Sequence, residues 1–382
     1  MKITNNHRII SLYFSVFILV SLNTVYLPIW LNETINLNTQ QIGLLIGSVG
    51  FLKLLSNFLI TKNITSLKSN RNVASLITIF ILYFFIIISF HKNIDTRLAI
   101  FLSFIILLIF SPLLPIIENI NMSLNKNFYS LYGKLRISGS ISFCLGVLLL
   151  GYLLDKISVN SLPKLYIFFS LCLLISIFLI PNKEEKQKRK SESDFSNLFK
   201  NKKFLIVMFA CSLVLASHAM YYSFSGIYWR NLNFNLLQIG FLWFWGVLAE
   251  IIFFIMIDKK KIFNKFFQAI IFAGIIGFLR WVMTYFFTNF FLLILIQSLH
   301  AFTFGLAHYL AVYYIYTSIS NNNKLLAISF YHALSSGIIM TILTILAGYS
   351  FSFSSSGTGF LIMAFFCLIS TLLIYFRGYI LK

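Results

Sequence analysis

Two apolar runs, HAMYYSFSGIYW (218–229) and LQIGFLWFWGVLAEI (237–251), carry a histidine, paired tyrosines, three tryptophans and a carboxylate. In hydrocarbon an ionisable side chain costs about 2.5–3.5 kcal/mol on insertion scales, so such groups normally face a bundle interior, a partner or a water-filled path. Their spacing sorts them onto faces. His218, Tyr222, Ser225 and Trp229 follow an i, i+4, i+7, i+11 pattern, Trp243, Gly246 and Glu250 share a second stripe, and Gln297, His300, Phe304 and His308 a third. The chemistry this predicts is proton handling: burial disfavours charge on carboxylate and imidazole alike, so a proton can be exchanged between them. Glu250 is the expected principal proton site, with His218 and His300 as neighbouring relay groups and His308 and Glu118 as further candidates.

A second group of residues suits a solute. Lys53 stands about eight residues from the end of its apolar run, roughly 12 Å at 1.5 Å per residue. That is far for snorkelling and fits a cavity-facing or carboxylate-paired lysine, Glu118 being the candidate partner. Arg280 has three readings: a pair with Glu250, a ligand for a substrate carboxylate, or an outward-snorkelling charge. Asn23 either lines a cavity or bonds a neighbouring helix. Gln297 would add an amide, and Tyr222, Trp229 and Trp243 aromatic contact surface. With Lys53 and Arg280 these form the expected substrate-binding set.

The elements that must hold these residues are membrane helices. Of 382 residues, 59% are hydrophobic and 10% charged, a composition that no water-exposed domain carries. Twelve runs approach the ~20 apolar residues a span needs: 9–31, 42–61, 73–90, 98–118, 137–154, 164–181, 204–229, 238–257, 266–286, 290–316, 325–350 and 357–376. They are too long and uniformly apolar for the alternating strands of a membrane barrel. The fold class expected is therefore an all-α integral membrane protein with twelve transmembrane helices in two six-helix bundles. The net charge of +20 is topological rather than a nucleic-acid footprint, because 23 of the 30 Lys and Arg fall on one face and five on the other, with Lys53 and Arg280 inside spans. The positive-inside rule then places both termini in the cytoplasm.

The one long polar segment, NKEEKQKRKSESDFSNLFKNKK (182–203), holds eight basic and four acidic residues and reads as a cytoplasmic linker between bundles at 1–181 and 204–382. Lys2 and Arg8 precede an apolar run with no small-residue cleavage site after it, so the first span is read as retained. Cys144, Cys172, Cys211 and Cys367 lie singly in separate spans, without metal-type spacing.

The segments LLIGSVGFLK (44–53), YGKLRISGS (132–140), SHAMYYSFSGIYW (217–229), IGFLWFWGVLAEI (239–251), LRW (279–281) and QSLHAFTFGLAH (297–308) resemble the major facilitator superfamily, in its branch of phenylpropionate permeases and nucleoside:proton symporter-like proteins. The resemblance implies the major facilitator fold and a proton-driven importer working by alternating access. It sets Lys53 where the family often has a basic residue and Glu118 where it has an acid. His218, Glu250, Arg280, His300 and His308 fall on motif positions. The loop at 62–72 lacks the superfamily's usual glycine and Asp-Arg pattern, and Ser138 stands where the family tends to have Trp.

The function expected is secondary active transport, the proton-coupled import of a small aromatic or other organic acid across the cell inner (plasma) membrane. A nucleoside:proton symporter and an uncoupled facilitator are the alternatives, and a non-transporting membrane scaffold the alternative of another class. No phosphate-cradling glycine loop, HExxH or apposed nucleophile and base is present, so no enzyme, cofactor or metal site is expected. The partners expected are the solute, protons and the lipid bilayer, with the chain acting as a monomer and without nucleic acid.

Overall fold

Long apolar runs in a bilayer can satisfy their backbone N–H and C=O groups within one segment only as helices, and helices are what the chain forms. The computed structural model describes residues 4–62, 66–90, 95–124, 128–182, 198, 200–256, 265–320, 323–353 and 357–380. Eleven helical stretches among them are long and apolar enough to cross a membrane. These are α1 (Asn5–Glu33), α3 (Leu67–Phe90), α4 (Thr96–Leu124), α5 (Ile137–Ile157), α6 (Val159–Phe178), α7 (Lys202–Asn231), α8 (Leu236–Met256), α9 (Phe266–Phe286), α10 (Phe290–Ser318), α11 (Leu326–Phe351) and α12 (Thr358–Tyr375). Between the first two lies α2, Thr39–Lys62, a 24-residue helix at the place of the second expected span. Most of the linker at 182–203 falls outside the described residues.

Helix starts are set by short polar side chains that take up the first free N–H groups. Thr4 and His7 form a capping box on α1, Asp95 caps α4, Asn201 caps α7 and Asn289 caps α10. The start of α8 is doubly served. Asn235 and Gln238 exchange side-chain and backbone hydrogen bonds at 2.8 and 3.0 Å, and the Asp155 carboxylate at the end of α5 accepts from the N–H groups of Leu236 and Leu237, each at 2.9 Å.

Several long helices depart from regular α geometry, and each departure has a local cause. Pro112 breaks α4 at Ser111–Pro112, as a residue lacking an N–H must. A break at Ser217 and His218 divides α7 into Lys202–Ala216 and Ala219–Asn231. Turns of π-helix occur at Leu22–Tyr26 in α1, Ala301–Leu306 in α10 and Ala333–Ile339 in α11. Such turns add a residue and re-aim side chains, and they recur at functional sites.

The chain forms two compact units. One consists of Met1–Asn38, Phe51–Arg189 and Asn233–Phe244, the other of Thr39–Gly50, Lys190–Leu232 and Trp245–Lys382. In the first, α1 packs against α5 and α6, and α3 against α4 and α6. In the second, α9 packs along α12, and α7 packs against α10, α11 and α12. The core of the second unit is apolar, with Phe204, Val207, Met208, Cys211 and Val214 of α7 meeting Leu310, Ala311 and Ile315 of α10.

Candidate functional site

The break in α7 turns His218 into the second unit and supplies its first partners. Once the helix is interrupted, the carbonyls of Val214 and Leu215 accept from side chains: Ser217 Oγ donates to Val214 O at 2.7 Å, and His218 Nδ1 lies 3.0 Å from Leu215 O and 3.3 Å from Val214 O. Carbonyl oxygens only accept, so Nδ1 carries the proton and Nε2 is left as an acceptor.

The Thr303 hydroxyl donates into that acceptor at 3.2 Å, and Arg280 of α9 lies beside it. Arg280 Nη1 is 3.0 Å from His218 Nε2, 3.2 Å from His300 Nδ1 and 2.7 Å from Thr303 Oγ1, while Nη2 donates to Gln297 Oε1 at 2.7 Å. The π turn after His300 brings Thr303 onto the face that already holds Gln297 and His300. The guanidinium also sits over the rings of Trp281 at 4.3 Å and Tyr221 at 5.0 Å, where the π faces favour a cation. Trp281 is held in turn by its indole N–H, which donates to Ser217 Oγ at 2.9 Å.

Arg280, His218, Gln297 and Thr303 have no exposed surface, so Arg280 does not snorkel. It also makes no direct ion pair with Glu250 among the described residues. His300 stands between them, its Nε2 3.7 Å from Glu250 Oε2. Glu250 is the only one of this group with substantial side-chain exposure, at 20% against 6% for His300. A buried cation is thus balanced by neutral acceptors and aromatic faces, with one carboxylate reached through an imidazole. Breaking such a group from one side leaves an uncompensated charge.

Other expected residues fall around or apart from this network. Tyr222 lies 5.5 Å from His218, ring to ring, and Trp229 meets Tyr221 edge-on at 5.9 Å. The indole N–H of Trp229, the Gln297 amide and the Ser225 hydroxyl are buried without a hydrogen-bond partner among the described residues. His308 is not bonded to Arg280. Its Nδ1 is 3.2 Å from Tyr331 Oη, and Phe304 stacks on both His300 and His308. Trp243 belongs to the first unit, where it packs 6.1 Å from Phe143.

In the first unit Glu118 accepts from Tyr13 Oη at 2.6 Å, and Asn121 donates to the same hydroxyl at 3.1 Å. Lys53 is partly buried, and no ion pair between it and Glu118 is found among the described residues. Asn23, in the π turn of α1, accepts from Tyr166 Oη, while its Nδ2 is buried without a partner among the described residues. Tyr166 stacks on Phe85 at 3.9 Å.

Thr303, Ser217, Tyr221 and Tyr13 were not among the expected site residues. A hydroxyl in an apolar helix usually satisfies itself on its own backbone, and the helix break and π turn that aim these groups leave no periodic mark. The one available signal was Arg280, which needs more acceptors than the expected site supplied.

A polytopic helical protein with buried ionisable groups in its spans is the plan of a membrane transporter, and the relatives agree. A sequence model of the MFS_1 like family matches residues 7–362. The chain belongs to that family and is a transporter of the major facilitator type, not an enzyme. It is 27% identical over 361 residues to a "Probable 3-phenylpropionic acid transporter" of Escherichia coli (strain K12), covering 92% of both chains. It is 23% identical over 252 residues to an "Uncharacterized transporter YwbF" of Bacillus subtilis (strain 168), covering 64% of this chain and 62% of that one. Its fold resembles the crystal structure of the nucleoside transporter NupG, with a TM-score of 0.79 at 14% identity over 97% of this chain and 98% of that one.

Proposed function

We propose that this transporter imports a small organic acid together with protons, across the bacterial inner membrane and by alternating access. In this reading twelve spans form bundles at 1–181 and 204–382, joined by the linker 182–203, with both termini cytoplasmic. The observation that carries the proposal is Glu250, a partly exposed carboxylate at membrane depth tied through His300 to an enclosed guanidinium. Protonation changes its interaction with that group. A coupled transporter needs an ion whose binding energy differs between its two states.

Lys53 is the proposed cation for the substrate carboxylate, since it lies within a helix and pairs with no acid among the described residues. Asn23, Tyr222, Trp229 and Gln297 are proposed to contact the solute. In the second unit, buried N–H groups without acceptors on Trp229 and Gln297 favour a ligand rich in acceptor oxygens. An aromatic acid is favoured by the name of the Escherichia coli relative and by these rings. Trp243, His308 and Glu118 are proposed for secondary roles, the first in solute contact and the other two in proton exchange. A nucleoside is the second reading, favoured by the likeness to NupG and by the same amide donors.

The test is uptake by the purified protein in sealed vesicles with an imposed inward proton gradient, presented with aromatic acids, nucleosides and sugars. Wild type is expected to concentrate an aromatic acid. Glu250→Gln is expected to exchange it across the membrane without concentrating it. Accumulation that survives the substitution removes Glu250 as the coupling site, and uptake insensitive to the proton gradient leaves an uncoupled facilitator.

A further inference from the structure

The network around Arg280 leaves no nitrogen on His218 or His300 able to take up a proton. On His218, Nδ1 faces the carbonyl oxygens of Leu215 and Val214, and Nε2 faces Arg280 Nη1 at 3.0 Å and Thr303 Oγ1 at 3.2 Å. The carbonyls fix Nδ1 as the protonated atom, and Nε2 is the lone pair into which the Thr303 hydroxyl donates, so the two Nη1 hydrogens go to Thr303 Oγ1 and His300 Nδ1. On His300, Nδ1 faces the same Nη1 at 3.2 Å and must be the lone pair, so Nε2 bears the hydrogen and points toward Glu250 Oε2, 3.7 Å away. Each ring therefore has one donor and one acceptor, both committed. Doubly protonating either ring would set an N–H against a guanidinium N–H.

We infer that Arg280 is a positioning residue that clamps both histidines in single neutral tautomers, so that neither relays protons and His300 serves as a fixed N–H donor aimed at Glu250. This deepens the proton-coupled reading and rests on it only for the role of Glu250. It removes His218 and His300 from the exchangeable sites that the sequence suggested. Arg280 itself is fully enclosed: both terminal nitrogens are engaged, its planar face lies against Trp281 and Tyr221, and only its Nε–H lacks a partner among the described residues.

Proton balance supports the assignment. If His300 passed its Nε2 hydrogen to Glu250, it would have to regain one at Nδ1. The atom there belongs to a guanidinium, which does not deprotonate in proteins. The proton that Glu250 takes up must come from water or solute on its exposed side, and returns the same way. Other titratable groups around the clamp are Tyr221 and Tyr222 of α7 and Cys367 of α12, which closes against Gly277 of α9. None of the three presents a base to a histidine nitrogen among the described hydrogen bonds.

The experiment is nitrogen NMR of protein carrying isotope-labelled histidine in lipid nanodiscs, recorded between about pH 5 and 8, the range where an ordinary histidine changes charge. His300 is assigned as the signal lost in His300→Gln. In wild type, His300 is expected to show the Nε2–H tautomer throughout, unchanged by pH. In Arg280→Gln, the clamp gone, the same signal is expected to lose its single form and report a mixture of Nδ1–H and Nε2–H tautomers. A wild-type His300 that becomes doubly protonated in this range overturns the inference.

A second arm stands if Arg280→Gln fails to fold. His300→Gln keeps an N–H near the Nε2 position and cannot carry a proton, so it is expected to retain proton-driven accumulation within several-fold of wild type. Loss of accumulation with exchange intact makes His300 a relay and overturns the clamp. If wild type itself shows no proton-driven accumulation, the coupled-import reading fails while the tautomer spectrum still decides the clamp.

Discussion

Tyr13, Glu118 and Asn121 show how little of a buried polar group its own sequence neighbourhood records. Glu118 announces itself as a carboxylate at the end of a proline-broken apolar run, yet the residue that holds it lies 105 positions away, in a stretch (9–22) that is apolar apart from hydroxyls. Tyr13→Phe removes a hydroxyl that donates to Glu118 and accepts from Asn121. It is expected to cost about 1–3 kcal/mol, the penalty for leaving buried polar groups unpaired. Thermal unfolding in detergent would read this as a lowered midpoint, and an unchanged midpoint would mean that solvent replaces the hydroxyl. The same contrast holds at Arg280. The charged and imidazole members of its network could be found because each is an anomaly in an apolar run. Thr303, Ser217 and Tyr221 could not, because their roles depend on backbone departures from the 3.6-residue period on which the stripes were read.

Those departures belong to elements. The π turn of α10 and the break in α7 act as pointers, and Gly305, inside that π turn, packs against the Glu250 side chain. A Cβ there would lie 3.3 Å from Glu250 Cγ and 3.5 Å from Phe253. Gly305→Ala is therefore expected to move the carboxylate by a few tenths of an ångström and lower proton-driven accumulation several-fold while leaving folding intact. Equal losses in accumulation and exchange would instead mean general damage. The start of α8 is fixed more firmly. Gly240 packs so tightly on α5 that an added Cβ would collide with Val147 O and lie 2.7 Å from Tyr26 Oη, the two atoms that already hydrogen-bond each other. Neither partner is a flexible chain end, so Gly240→Ala is expected to cost about 1–3 kcal/mol or more as overpacking. Asp155→Ala, which removes only a cap from the same helix, is expected to cost about 1 kcal/mol. Comparing the two by thermal unfolding separates shape from capping. Helix existence was legible here because apolar length alone demands it, whereas the Asp155 cap joins residues 81 positions apart and follows from packing.

At the scale of the whole molecule the deciding quantity is charge asymmetry. With the twelve spans expected from the sequence, twenty-three cationic residues fall on one side and five on the other, a difference that no packing argument requires. In the bilayer it acts through insertion, because loops rich in Lys and Arg are retained on the cytoplasmic side. The bias is carried by short loops, which is where the rule holds. Both termini and the loop after α10 are therefore expected in the cytoplasm, and the turns at Ser158 and Asn289 outside. Single cysteines at these positions offer a direct check, since Cys144, Cys211 and Cys367 are buried and Cys172 is only partly exposed, leaving little background. In intact cells Ser158→Cys and Asn289→Cys should react with a membrane-impermeant maleimide, and Ser320→Cys should react only after the cells are opened. The reverse pattern would turn the molecule over. It would make the basic face external, leave the positive-inside rule broken by a margin of eighteen charges, and require the carboxylate and its clamp to serve export rather than import.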